Sequence, residues 1–200
     1  MANTRRYKQL LSRIDRLEKN LLPNAKLDGN YSKKESDLII SYVLLCHAEI
    51  ECYFEEIAEL TVRKALEQWD CSRKKSHCLL SVMVFCSHEI KWDNHQKDDK
   101  EKLESRVKRV SNHFLNKLKS NHGIKSENIK NMLLPIGLES NQLDQTWLNL
   151  MDNFGTMRGK FAHSSSSVQN QIDLVTEQRN INNSILPEIG RIDLIVRGVK

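Results

Sequence analysis

Glycine and proline are scarce in this 200-residue sequence, which holds 7 Gly and 3 Pro. A β-sandwich or β-barrel needs many tight turns, and tight turns depend on these two residues. The scarcity therefore favours long helices. Hydrophobic residues make up 39% and charged residues 28% of the chain, which is typical of a globular domain with a sizeable core. We expect one domain over residues 1–200.

Long apolar runs are also missing. No stretch approaches the ~18 uninterrupted apolar residues that would span a membrane. The basic start, MANTRRYKQLLSRIDRLEKN, lacks the apolar centre of a signal peptide. The five cysteines form no CxxC pair, which argues against a disulfide framework or a zinc ribbon. We therefore expect a protein of the reducing cytoplasm that has no membrane partner.

Familiar catalytic signatures are absent as well. The sequence has no GxSxG elbow, no GxxxxGK[ST] phosphate loop and no GxGxxG motif. His88, Glu89, Asp93 and His95 suggest a metal site, but their spacing matches no ligand signature, and Asp93-Asn94 indicates a helix end. A polar loop after a helix explains these residues better. We expect no metal and no cofactor.

Helical periodicity is what the sequence does contain. Apolar residues recur at steps of three and four from Thr4 to Asn20, which predicts a first helix. Ser32-Lys33-Lys34-Glu35 forms a capping box that starts a second helix, reaching about Trp69. Further helices are predicted at 76–92, 98–121 and 126–134, after a cap at Ser140 or Asn141, and at 168–179 and 184–198. The expected fold is all-α, a helical bundle with a long central helical hairpin.

The second helix contains two notable carboxylates. Its middle, SYVLLCHAEIECYFEEI, is apolar on nearly all sides around Leu44 and Leu45, so we expect this segment to be buried. Glu49 and Glu51 fall within it. A carboxylate on a buried helix usually needs a cationic partner.

Charge is unevenly distributed along the chain. Residues 1–34 carry a net charge of +6, residues 35–67 carry −6 and residues 97–130 carry +5. Two basic segments around an acidic one would suit a phosphate-binding surface, although solvated helix faces are the preferred explanation of the pattern. In the helix at 98–121, five apolar residues form a core line, and each is preceded in sequence by a basic residue: Leu103, Val107, Val110, Phe114 and Leu118. Beside it runs a basic stripe: Lys102, Arg106, Arg109, His113 and Lys117.

An arginine and a histidine stand close together in MRGKFAHSS, as Arg158 and His163. With 12 arginines and 7 histidines in 200 positions, about one such pair is expected by chance, and Arg106 with His113 is a second. Context favours Arg158, because it extends an apolar line through Leu143, Trp147, Leu150, Met151 and Phe154. A long side chain at the end of such a line is expected to point into a groove.

The two motif residues would not stack in an unbroken helix, since five residues turn the chain by about 140°. Bringing them together requires a distorted turn, which Gly155 and Gly159 would permit, or a pocket completed from elsewhere.

MRGKFAHSS resembles the R-x4–6-H motif of the HEPN superfamily, helical domains named for higher eukaryotes and prokaryotes nucleotide-binding. Gly159, Ala162-His163 and Ser164 fit the small residues around that motif. SYVLLCHAEIECYFEEI is similar to the family's long helix, with Glu51 at the place of its glutamate, and LLPIGLESNQLDQTWLNLMDNF resembles the approach to the motif in the bacterial ribonuclease-like branch. The resemblance is strongest over residues 34–165. One departure is Gly159, where asparagine is commonest.

The resemblance implies a metal-independent endoribonuclease that acts as a homodimer. Its products would be a 2′,3′-cyclic phosphate and a 5′-hydroxyl. His163 would serve as general acid or base and Arg158 as phosphate anchor, with Glu51 and Ser164 in support. The basic stripe, Lys160, Arg5, Arg6 and Lys8 would contact single-stranded or looped RNA.

The resemblance also implies a toxin or phage-defence role, with an antitoxin or a nucleotidyltransferase as partner. Two alternatives stay open. One is a catalytically inactive HEPN-like scaffold that binds RNA or nucleotides or only dimerises. The other is an unrelated helical interaction protein, in which Arg158 is the buried partner of Glu51 and His163 is a hydrogen-bonded histidine at a helix end. The RNA target, the controlling partner and any activating signal do not follow from the sequence.

Overall fold

The computed structural model describes residues 2–26, 28–90, 102–163 and 173–199, with side chains only as far as Phe161 in the third range. Within these ranges every regular element is helical, which confirms the all-α prediction. The helices are Arg5–Leu21 (α1), Lys33–Ser72 (α2), His77–Cys86 (α3), Leu103–Ser120 (α4), Ser126–Leu133 (α5), Gln145–His163 (α6), Leu174–Arg179 (α7) and Leu186–Gly198 (α8). Short 3-10 turns lie at Ser87–Glu89 and Ser140–Gln142, and a π-helical segment at Asn180–Ile185.

The chain groups into two compact units. The first comprises Met1–Tyr53, Gly123–Glu127 and Leu143–Leu194, and the second comprises Phe54–His122, Asn128–Gln142 and Ile195–Lys200. The candidate motif belongs to the first unit, and α4 with its basic stripe belongs to the second.

The core of the first unit is built from helix stripes that the sequence predicts. Its fully buried side chains include Leu10, Ile14, Ile39, Val43, Ile50, Met151, Phe154, Ile181 and Ile189. A buried carboxylate joins three of its helices. Asp193 of α8 accepts hydrogen bonds from the backbone N–H of Thr4 at 2.7 Å and from the Tyr53 hydroxyl of α2 at 2.8 Å. Because several donors surround it, this carboxylate is satisfied although it is only 1% exposed.

The sequence predicts the starts of α1 and α2 correctly. The Ser32 N–H donates to Glu35 Oε2 at 2.7 Å, and the Glu35 N–H donates to Ser32 Oγ at 3.3 Å, so the predicted capping box is confirmed. At the start of α1 the Thr4 hydroxyl accepts the Tyr7 N–H at 3.1 Å.

The middle of α2 is less enclosed than the sequence predicts. Tyr42, Val43 and Cys46 are fully buried, but Leu45 is 39% exposed. The expectation of burial on nearly all sides is therefore wrong at Leu45. Residues three apart share a helix face, and Ala48 is exposed as well, so one side of α2 stays uncovered here.

The second unit packs α3 against α4. Its core includes Val62, Leu79, Val82, Phe114, Ile129, Met132 and Ile136. Two predictions are wrong in this unit. α3 ends at Cys86 and continues as a 3-10 turn, instead of reaching Trp92, which lies outside the described residues. Leu103, predicted in the core line, is the first residue of α4 and is 60% exposed, since none of the described residues covers this end of the helix.

The C-terminal region differs from the two separate helices that were predicted. A π-helical segment joins α7 directly to α8, and its Asn182 side chain donates to Glu18 of α1 at 2.8 Å. Gln178 of α7 donates to the other oxygen of the same carboxylate at 2.7 Å. These contacts come from a distant part of the chain, so the local sequence gave no sign of them. Residues 164–172 lie outside the described part of the chain.

Three of the five cysteines are buried, as expected for small core residues: Cys46, Cys78 and Cys86. Burial raises the pKa of the first two thiols to about 12 and that of Cys86 to about 11, so all three are uncharged near neutrality. None of the helices in the described ranges has the length and apolar character that crossing a membrane requires.

Candidate active site

The motif is carried by α6, which starts at an aspartate. The Asp144 side chain accepts the Trp147 N–H at 2.7 Å, while Ser140 and Asn141 belong to a preceding 3-10 turn. The predicted cap at Ser140 or Asn141 is therefore wrong. Trp147, Met151 and Phe154 are buried as expected and hold α6 in the first unit.

Arg158 and His163 lie in one uninterrupted helix, since α6 continues to His163. Taking about 100° per residue, position 163 lies about 140° around the axis from position 158. Gly155 and Gly159 lie at about 60° and 100° on the same scale, between the two motif positions. A distorted turn at the glycines, one of the two possibilities considered above, is not observed in α6. The helix instead has a glycine strip, formed by Gly155 and Gly159, between Arg158 and His163.

The Arg158 side chain is exposed, whereas the sequence suggested that it points into a groove. It forms no ion pair with Glu51 or with any other carboxylate in the described ranges. A methyl group added to Gly159 would meet no described atom within 4 Å. Among the described residues, none therefore covers the α6 surface at Gly159 beside the motif arginine.

A buried histidine lies behind this surface. His47 of α2 is 2% exposed, and its ring centroid lies 5.8 Å from that of Phe154, one helical turn before Arg158. Burial, and then the positive charge of Arg158, lower the pKa of His47 to about 4. His47 is consequently neutral near pH 7 and adds no charge beside the arginine.

Glu51 follows His47 by one turn of α2 and holds a loop in place. His47 Nδ1 lies 3.5 Å from Glu51 Oε2. The other carboxylate oxygen accepts a short hydrogen bond from the backbone N–H of Gly123. Gly123 has a φ of 112°, a conformation that side chains disfavour, so glycine allows its N–H to face the carboxylate. Glu51 therefore anchors the 121–125 loop, the segment between α4 and α5.

The other end of this loop is fixed to α6. The Ser126 N–H and hydroxyl donate to the two oxygens of Asp152 at 2.8 and 2.9 Å. A methyl group added to Gly155 would lie 2.8 Å from Cγ of Lys125, so the lysine side chain crosses α6 at this glycine. The 121–125 loop thus joins α2 to α6 next to Arg158.

Of the two carboxylates singled out in the sequence, Glu49 has the expected cationic partner, whereas the partners described above for Glu51 are the neutral His47 ring and the Gly123 N–H. Arg13 of α1 donates to the Glu49 carboxylate through Nε at 2.8 Å. Both side chains of this ion pair are partly exposed. Glu49 and Glu51 therefore have different partners.

The basic stripe of α4 is partly neutralised. His113 Nε2 and Lys117 Nζ lie 2.8 and 2.7 Å from the two oxygens of Glu89, and these hydrogen bonds, that of Lys117 first, lower the pKa of the Glu89 carboxyl. Lys102, Arg106 and Arg109 are exposed, as is Lys160 of α6. Glu89, one of the four residues considered above as metal ligands, thus binds His113 and Lys117. Asp93 and His95 lie outside the described residues.

Two members of the predicted site cannot be placed further. The side chain of His163 and all of Ser164 lie outside the described residues. The sequence analysis did not identify the buried His47 behind the motif or the contact between Ser126 and Asp152. The spacing of His47 and Glu51, four residues apart on a helix, was a usable signal. No local signal linked Ser126 to Asp152, because they come together only in the folded chain.

The all-helical fold agrees with the resemblance to the HEPN superfamily, and the comparison with family models supports membership. The RiboL-PSP-HEPN family model matches residues 6–186, so the chain belongs to this family. Neither the curated proteins nor the solved structures contain a match. Membership associates the chain with nuclease or RNA-related function at the level of the family, and it excludes the unrelated helical protein considered above.

Proposed function

We propose that this protein is a metal-independent endoribonuclease that uses the 2′-hydroxyl of its RNA substrate as nucleophile. The 2′-oxygen attacks the adjacent phosphorus, and the bond from phosphorus to the 5′-oxygen breaks. One proton leaves the 2′-hydroxyl and one is delivered to the departing 5′-oxygen. The products are a 2′,3′-cyclic phosphate and a 5′-hydroxyl.

The observation that carries the proposal is the exposure of Arg158 on α6 among the described residues. An exposed guanidinium with no carboxylate partner in the described ranges is available to bind two phosphate oxygens as negative charge develops. We assign proton transfer to His163, since imidazole titrates near neutrality. Glu51 supports the site from behind by holding the 121–125 loop. Ser164 follows His163 directly and is assigned a supporting role on the motif resemblance.

We further propose that two copies of the chain share one cleft. Position 163 is about 140° from position 158 around the axis of α6, so the two backbone positions lie on different sides of one helix. A second copy, presenting its own α6, supplies the missing partner. Single-stranded or looped RNA is the proposed substrate, because its 2′-hydroxyls and bases are accessible. The basic stripe, Lys160, Arg5, Arg6 and Lys8 would bind its backbone.

A cellular role as toxin or phage-defence effector, controlled by an antitoxin or a nucleotidyltransferase and exerted in the cytoplasm, is proposed from the family resemblance alone. The second candidate function is an inactive scaffold that binds RNA or nucleotides or only dimerises. Gly159 favours this alternative, because asparagine is the commoner residue after the motif arginine.

The decisive experiment is cleavage of end-labelled RNA in the presence of EDTA. We expect Arg158→Ala and His163→Ala each to reduce the rate by about 100-fold or more, since each removes a transition-state contact. Arg63→Ala and His88→Ala are matched controls, because both residues are exposed and lie away from α6 in sequence. Circular dichroism verifies that all four variants fold.

Loss of cleavage in EDTA would overturn the metal-independent mechanism. Full activity in both motif variants would overturn the assigned site. A protein that binds RNA but never cleaves it would support the scaffold.

A further inference from the structure

Lys125 lies against α6 beside the motif. A methyl group added to Gly155 would be 2.8 Å from Lys125 Cγ and 3.7 Å from its Cε. The aliphatic part of the lysine therefore runs along the surface of α6, in space that the glycine leaves free. Since Lys125 is exposed, its ammonium group remains in contact with solvent while the stem is packed.

The position of Lys125 is fixed on both sides. Two residues before it, Gly123 donates to Glu51 of α2, and one residue after it, Ser126 donates twice to Asp152 of α6. Both oxygens of the Asp152 carboxylate are occupied by Ser126. Lys125 forms no ion pair with a carboxylate within the described ranges. Its positive charge is therefore held in place without being neutralised.

Lys125 and Arg158 face the same side of α6. Arg158 follows Gly155 by three residues, so it lies one turn further along the same face. The glycine strip is open beyond this point, since a methyl group on Gly159 would meet no described atom within 4 Å. An extended polyanion lying along the strip would meet the ammonium group and the guanidinium in succession.

We propose that Lys125 is a second phosphate-binding residue of this site, which contacts a phosphate of single-stranded RNA next to the one held by Arg158. Gly155 is the residue that makes room for it. The inference rests on the proposed function, since it assumes that RNA lies along α6.

The test is binding of a fluorescent single-stranded RNA, followed by anisotropy at several salt concentrations. The full-length protein carries His163→Ala throughout, so that the RNA stays intact. Lys125→Met keeps the packed stem and removes the charge, whereas Lys125→Arg keeps the charge. Lys64→Met is the matched control, because Lys64 is an exposed lysine of α2 with no carboxylate partner in the described ranges.

Lys125→Met is expected to weaken binding by about 3- to 10-fold and to reduce the slope of log K against log salt by about 0.7, as for one lost phosphate contact. Lys125→Arg and Lys64→Met should bind like the parent. Equal affinity and equal salt slope in Lys125→Met and Lys64→Met would overturn the proposal. So would a parent protein that fails to bind RNA.

Gly155→Ala provides a second variant that keeps every charge. Alanine favours a helix more than glycine does, so a folding defect from helix propensity is not expected. The methyl group should displace the lysine stem and weaken RNA binding in the same direction as Lys125→Met. Parental affinity in Gly155→Ala would show that the packed stem is not required and overturn that part of the proposal.

The binding result is separable from the nuclease proposal. Charge-dependent binding through Lys125 in a protein that never cleaves RNA would reject the nuclease and retain the Lys125 site. Cleavage that depends on Arg158 and His163, together with RNA binding that is unchanged in Lys125→Met, would retain the nuclease and reject the Lys125 site.

Discussion

His47 shows how strongly a single residue depends on its surroundings. Imidazole in solution titrates near pH 6.5, but the buried ring of His47 has a pKa of about 4. Burial is the main cause, and the charge of Arg158 adds to it. A histidine next to the motif arginine therefore acts as a neutral packing residue against Phe154, and not as an extra cation.

The low pKa of His47 predicts a loss of stability in acid. Above about pH 6.5 His47 is neutral in both the folded and the unfolded chain. As the pH falls from there towards 4, the unfolded chain binds the proton more readily, so the free energy of unfolding decreases by up to about 3 kcal/mol. Urea unfolding of the parent and of His47→Gln between about pH 7.5 and about pH 4.5 measures how much His47 contributes to the pH dependence of the free energy of unfolding. An identical pH dependence in both proteins would contradict it.

Helix starts illustrate what decides structure at the level of the element. Ser32 and Glu35 are three residues apart and complete their hydrogen bonds locally, so the sequence predicts that start correctly. Before α6 there are three residues that could cap the helix, Ser140, Asn141 and Asp144. The local sequence does not indicate which of them is the cap. In the folded chain α6 begins at Gln145 with Trp147 and Met151 buried, and Asp144 is the residue in capping position.

Removing the real cap should therefore cost more than removing the expected ones. We predict that Asp144→Ala lowers the free energy of unfolding by about 1 kcal/mol, since it leaves the Trp147 N–H without its side-chain acceptor. Ser140→Ala and Asn141→Ala, whose side chains form no hydrogen bond within the described ranges, should change it by less than about 0.5 kcal/mol. Denaturant unfolding compares the three. A larger effect at Ser140 or Asn141 would show that the cap lies there.

At the level of the whole molecule, family membership and an all-helical fold are established, while the single-domain assignment and the homodimer stay predictions. The dimer matters for function because α6 separates its two motif positions by about 140°. A shared cleft resolves this separation without bending the helix.

A shared cleft makes a prediction about mixed dimers. Co-expressed Arg158→Ala and His163→Ala chains, purified through two different tags, should place one intact arginine and one intact histidine in the same cleft. Cleavage should then recover to about tenfold or more above either variant alone. Light scattering verifies that the purified species is a dimer. Absence of recovery in a verified dimer, or a parent protein that is strictly monomeric, would reject the shared cleft.

The sequence by itself determined the helical class, several helix starts, the Arg158–His163 motif and the family resemblance. These depend on local periodicity, on capping within three residues and on a contiguous motif. Only the tertiary structure decided which surfaces are open and which charges are paired. Gly123 meets Glu51, Ser126 meets Asp152 and Lys125 meets Gly155 because distant segments pack together, and no short stretch encodes those contacts. The physical reason is that burial and long-range hydrogen bonding, which set the state of His47 and the position of Lys125, are properties of the packed chain.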